Sequence, residues 1–128
     1  MNYTTNVGER GVATEETERL IASDKVEGTA VFDSNGEHLG RVHHLMIDKY
    51  SGRVAYVIAS FGGLFGIGEN WVPLPWKALN YDTRLAGYVV GVDRERLERA
   101  PNYAPSAQPD WSARSYSEKI DEYWLPPV

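Results

Sequence analysis

The chain has 128 residues, a net charge of −5 and no cysteine. That length suits one domain able to bury its own core, while the missing cysteines exclude disulfides and thiolate chemistry. The acidic balance argues against a nucleic-acid partner, and no run of about 18 apolar residues offers a membrane span.

Residues 1–19 are polar, without the basic and apolar regions of a signal peptide, and read as a flexible tail on a cytoplasmic protein. Glu15, Glu16 and Glu18 form a solvated charge cluster there. Ser23-Asp24 can cap a short turn ending near Gly28, and residues 29–32 form a short strand. Asp33-Ser34-Asn35-Gly36-Glu37 is a tight turn, because Asn-Gly readily takes positive φ. Its acidic start resembles a calcium loop, but the twelfth position is His44, where a bidentate Glu is required. Residues 39–48 form the next strand, and Tyr50-Ser51-Gly52 turns the chain again.

Residues 53–76, RVAYVIASFGGLFGIGENWVPLPW, organise the rest. Residues 53–61 are β-branched, aromatic and small, with no breaker among them. Val54, Tyr56 and Ile58 share one face; Ala55, Val57, Ala59 and Phe61 share the other. Both faces are apolar, so the strand is expected to be covered on both sides. Glycines 62, 63, 66 and 68 allow a hairpin loop whose tip carries Leu64, Phe65 and Ile67. The loop does not read as a phosphate cradle: its glycine order is reversed, and a strand follows where a helix should. Residues 70–76 return as a strand with Pro73 and Pro75, which confines it to a sheet edge. Trp76 is expected to fill one end of a barrel.

Residues 79–82 and 87–92 are two more strands. Asp93 caps a short helix that Pro101 ends, with no Glu at N3 to complete a capping box. Residues 101–110 form a proline-rich linker. Beyond it, Tyr116, Ile120, Tyr123 and Trp124 fall on one helical face, and Ser115 and Glu118 have capping-box spacing. So short a helix is unstable alone, so this one and Trp111 must dock on their own sheet or on a second chain. The fold class is mainly β: a small barrel of about six short strands, a short helix after the last, and a C-terminal aromatic helix. Residues 1–19, 20–102 and 103–128 divide as tail, barrel, and linker with helix.

The ordered set Ser23-Asp24-Lys25-Val26-Glu27-Gly28, Gly36-Glu37-His38-Leu39-Gly40-Arg41-Val42, Leu45-Met46-Ile47-Asp48, Gly52-Arg53-Val54-Ala55-Tyr56, Phe61-Gly62-Gly63, Gly66-Ile67-Gly68 and Val72-Pro73-Leu74-Pro75-Trp76 resembles PRC-barrel domains. That family is named for the cytoplasmic domain of the photosynthetic reaction-centre H subunit. The ending is similar to that of small stand-alone bacterial members. The resemblance implies an interaction module without a catalytic motif. In the reaction centre the related domain serves assembly and proton uptake; in a ribosome maturation factor it docks on a ribosomal protein.

Adjacent residues of a regular strand point to opposite faces, so His43 and His44 cannot share an ion unless a bulge intervenes. His38 lies about 20 Å from His44 along an extended strand. No metal or cofactor is expected. His44 is read as a barrel residue between Val42 and Met46, and histidine titration is the one echo of a proton-handling relative. No nucleophile signature places Ser, His and Asp together.

The expected function is therefore a non-enzymatic, self-associating module, a homodimer in which tails are exchanged or docked. Its candidate surface is Leu64, Phe65, Ile67, Trp111, Tyr116, Ile120, Tyr123 and Trp124. The alternatives are a factor docking on a ribosomal or other large assembly through a basic protein partner, and a small ligand-binding barrel.

Overall fold

The structure is a computed structural model that describes residues 19–62 and 69–125. Residues 1–18 of the N-terminal tail and the loop tip Leu64, Phe65 and Ile67 lie outside the described residues. A helical turn α1 (Ser23–Val26) leads into β1 (Ala30–Phe32), β2 (His38–Ile47), β3 (Val54–Gly62), β4 (Glu69–Pro75), β5 (Leu79–Asp82) and β6 (Gly87–Val90). Then come α2 (Arg94–Glu98) and α3 (Arg114–Trp124). The fold is mainly β, with all six expected strands in one sheet of order β4-β3-β2-β1-β6-β5.

The turns form for local reasons. The Asp33 carboxylate accepts from the amides of Asn35 and Glu37, each at 2.9 Å, while Gly36 sits at φ +82°. Asp48 accepts in the same way from Tyr50 and Ser51 before Gly52 at φ +77°. Asp93 caps α2 by accepting from the Arg96 amide at 2.9 Å. The expected caps on the other helices do not form. Ala22 precedes α1 and Ala113 precedes α3, neither with a side-chain cap. Before α3 an Asp110 turn, accepting from Ser112, redirects the chain and starts the helix at Arg114, so Ser115 falls inside the first turn.

Strands β4 and β5 are the two ends of the sheet, yet a three-residue 3-10 turn, Trp76–Ala78, joins them. Such a turn rises about 2 Å per residue, whereas the edges of a flat six-stranded sheet lie about 24 Å apart. The sheet must therefore roll until its ends meet. β4 and β5 do not pair, so the roll stays open along that seam. The antiparallel β3–β4 register runs from Tyr56↔Pro75 to Gly62↔Glu69, as a hairpin requires.

Paired residues share a face, which sorts the side chains. Val42, Val57, Ala59, Val72 and Leu74 point into the roll and are buried with Val31, Phe61 and Val90. Tyr56, Ile58 and Ser60, with Pro75, Pro73 and Trp71 beside them, point outward. Ile58 and Ser60 are nonetheless buried, so β3 is covered on both sides over most of its length; only Ala55, near its start, and Gly62, its last residue, are exposed.

Gly40 crosses β3 where a side chain has no room. An added Cβ would lie 2.1 Å from the Ser60 carbonyl oxygen and 2.6 Å from the Phe61 ring. Backbone cannot retreat as a flexible side chain can, so Gly40→Ala is expected to destabilise the fold by about 2–3 kcal/mol. Gly91, with open space around it, should tolerate alanine within about 0.5 kcal/mol. Urea denaturation midpoints of the two variants check the contrast.

Candidate interaction surface

The outward face of β3 and β4 is apolar, and the C-terminal segment lies across it. The segment attaches first through main chain. Trp71 donates to the Tyr103 carbonyl at 2.9 Å, and Tyr103 donates back at 3.0 Å. Residues of one parity aim both backbone groups to one side of a strand. Pro73 and Pro75 share the parity of Trp71 but have no N–H to offer. The linker can therefore bridge β4 at one residue and cannot extend into a seventh strand.

Aromatic rings continue the contact. Trp71 meets Tyr103 edge-on at 5.9 Å, Tyr103 meets Trp111 at 5.8 Å, and Trp111 meets Tyr116 at 5.5 Å. Trp111 also lies 6.0 Å from Tyr56 of β3. Farther along α3, Ile120 is fully buried and Trp124 nearly so, both in the main core cluster. Arg96 of α2 closes the far end. Its guanidinium donates to the Tyr123 carbonyl at 2.8 Å and lies 4.8 Å from the Tyr123 ring centre, while the Tyr123 hydroxyl donates to the Arg96 carbonyl. Among the sequence-predicted surface residues, the structure thus gathers Trp111, Tyr116, Ile120, Tyr123 and Trp124 against their own sheet and α2.

Burial shapes the chemistry of this seam. The hydroxyls of Tyr103 and Tyr116 are buried without a hydrogen-bond partner among the described residues. Burial first, then the neighbouring Tyr116, pushes Tyr103 up to about 12. Burial also raises Tyr116 and Tyr56 above the ordinary tyrosine range.

What remains exposed was not anticipated. Trp76, expected to fill a barrel end, is 42% exposed, because the 3-10 turn that carries it runs around the outside of the roll. Tyr88 is buried in its stead, with Trp76 edge-on at 5.8 Å and the half-exposed Tyr81 at 5.2 Å. Beside Trp76 a groove of about 620 Å³ is lined by Val54, Tyr56, Pro75 and Leu125, with Arg53, Lys77 and Asp121 supplying charge. Trp76 and Lys77 lie between two edge strands, which only the strand order reveals.

The histidines are also rearranged. Val42 pairs with Ala59 and His44 with Ile58, so β2 carries one extra residue there. That bulge turns His44 away from the Val42 face, onto the outer surface rather than into the barrel. Burial, then His43, lowers its pKa, while Glu27 acts in the opposite direction. Among the described residues no group of three or more His, Cys, Asp or Glu side chains could hold a metal ion.

Residues 18–97 match the PRC-barrel domain family, and by that match the chain belongs to it. No curated protein matches the chain.

Ile120→Ala removes a fully buried side chain, and a loss of about 3 kcal/mol is expected, against about 0.5 kcal/mol or less for the exposed Lys119→Ala. Tyr103→Phe and Tyr116→Phe each delete an orphaned hydroxyl, so they should be neutral or stabilising by about 1 kcal/mol. Chemical denaturation checks both sets. The raised Tyr103 pKa makes folding hold its proton where the unfolded chain releases it. That contribution is fully present below an unfolded tyrosine's pKa of about 10 and is lost as pH rises through about 12. Phenolate absorbance against pH should therefore show late-titrating tyrosines that coincide with alkaline unfolding, and Tyr103→Phe should remove part of that late step.

Proposed function

We propose that this member of the PRC-barrel domain family is a non-enzymatic assembly module that pairs with a second copy of itself. The family is generally a non-catalytic domain, which supports the first half of the reading. The observation that carries the second half is the corner built by Trp76 and Tyr81. Once the C-terminal segment has packed on the hairpin, these two aromatic side chains remain 42% and 46% exposed, and Trp76 lines the neighbouring groove. Aromatic side chains next to a pocket are what protein interfaces use as anchors.

Charge favours a second copy as the occupant. The chain carries −5 overall, while the groove presents Arg53 and Lys77 against a single acid, Asp121. A partner of the same composition offers acidic surface to meet them. Leu64, Phe65 and Ile67, which follow the opposite end of the β3–β4 ladder, are proposed as a separate contact. The resemblance to the reaction-centre H-subunit domain and to the ribosome maturation factor supports the general role of joining assemblies. The acidic balance also leaves room for a basic protein partner in a larger assembly.

Sedimentation velocity on the untagged chain tests this. At high micromolar concentration it should sediment with the mass of two chains, and Trp76→Glu should weaken that association by at least about tenfold. A monomer throughout that range overturns the reading, and a dimer indifferent to Trp76→Glu removes the corner from it.

A further inference from the structure

The bulge in β2 does more than reorient one side chain. It places two neighbouring imidazoles on the same face, their Nδ1 atoms joined by a hydrogen bond of 2.9 Å in which one ring donates and the other accepts. Trp71 braces them: its ring centre lies 4.3 Å from that of His43 and 5.1 Å from that of His44. Trp71 is itself fixed, by the main-chain bridge to Tyr103 and by its indole N–H, which donates to Glu69 at 3.3 Å. The same Glu69 oxygen accepts from the Ser60 hydroxyl. Two carboxylates act on the pair, Glu69 on His43 and Glu27 on His44.

We propose that His43 and His44 form a two-nitrogen site for a divalent transition-metal cation of the copper(II) or nickel(II) type. Neutral imidazole is a good ligand for both metals. The spacing selects the geometry. Two nitrogens bound at about 2.0 Å at right angles lie about 2.8 Å apart, and a tetrahedral pair about 3.3 Å apart. The hydrogen bond already holds the two nitrogens at 2.9 Å, close to adjacent corners of a square-planar or tetragonal centre, so the cation replaces the shared proton, released to solvent, with little movement. The Trp71 brace means that little side-chain freedom is lost on binding. The nearby carboxylates favour a cation electrostatically, and water completes the sphere, since among the described residues no third side chain joins the pair.

Copper(II) titration of the untagged full chain, by calorimetry and electron paramagnetic resonance, tests the site. One ion per chain is expected, with hyperfine structure from two imidazole nitrogens. His43→Ala and His44→Ala should each weaken binding about tenfold or more, while His38→Ala leaves it unchanged. The resonance of the unaltered chain counts the nitrogens, so the result does not depend on how well a variant folds. Absence of saturable binding, a spectrum without two imidazole nitrogens, or affinity unchanged in both variants overturns the proposal.

Discussion

The constraint on which the rest of the structure depends is the second apolar face of β3. A strand buried on one side leaves the other for water, and its sequence then alternates. Here Val57, Ala59 and Phe61 fill the roll while Ile58 and Tyr56, with Pro73 and Trp71 beside them, turn outward. A rolled sheet this small has one interior and cannot take both sets. The chain supplies the missing layer from its own C-terminal segment. The linker is pinned at Tyr103 and the rings of Trp111 and Tyr116 close over the hairpin, while Ile120 and Trp124 anchor the helix in the core of the roll itself. The two prolines of β4 keep that layer from becoming more sheet.

Much of this was legible because it is governed by short-range rules. Alternation and turn chemistry located all six strands, and Asp93 announced the start of α2. The proline pair marked β4 as an edge, and the spacing of Tyr116, Ile120, Tyr123 and Trp124 marked one helical face. What escaped depends on residues far apart in sequence or on a single irregularity of register. The bridge from Trp71 to Tyr103 joins positions with no local signal between them. The bulge at His43 shifts one residue, and that one residue reverses which face His44 occupies. The exposure of Trp76 follows from the need to step between the two ends of a rolled sheet, a demand visible only once the strand order is known. The caps expected at Ser23 and Ser115 failed because the preceding turns fixed other starting points.

These features divide the outer surface into two regions with different chemistry. Around Trp71 the linker, the paired histidines and Glu69 form a braced polar cluster at the margin of the tail seam. Around Trp76 the surface is aromatic and grooved, flanked by Arg53 and Lys77. The first suits a small cation and the second suits protein. Both arise from the same hairpin, because residues that face outward from β3 and β4 are either covered by the tail or left at its borders.

The central claim is that the C-terminal helix belongs to the folded unit and is not an accessory laid upon it. Native-state amide hydrogen exchange, resolved by residue, tests this most directly. If the claim holds, the amides of Ile120 and Trp124 in α3 and those of Val57 and Ile58 in β3 open together, with one free energy equal to that of global unfolding. Exchange of α3 through a lower-energy opening, with β3 still fully protected, would contradict it.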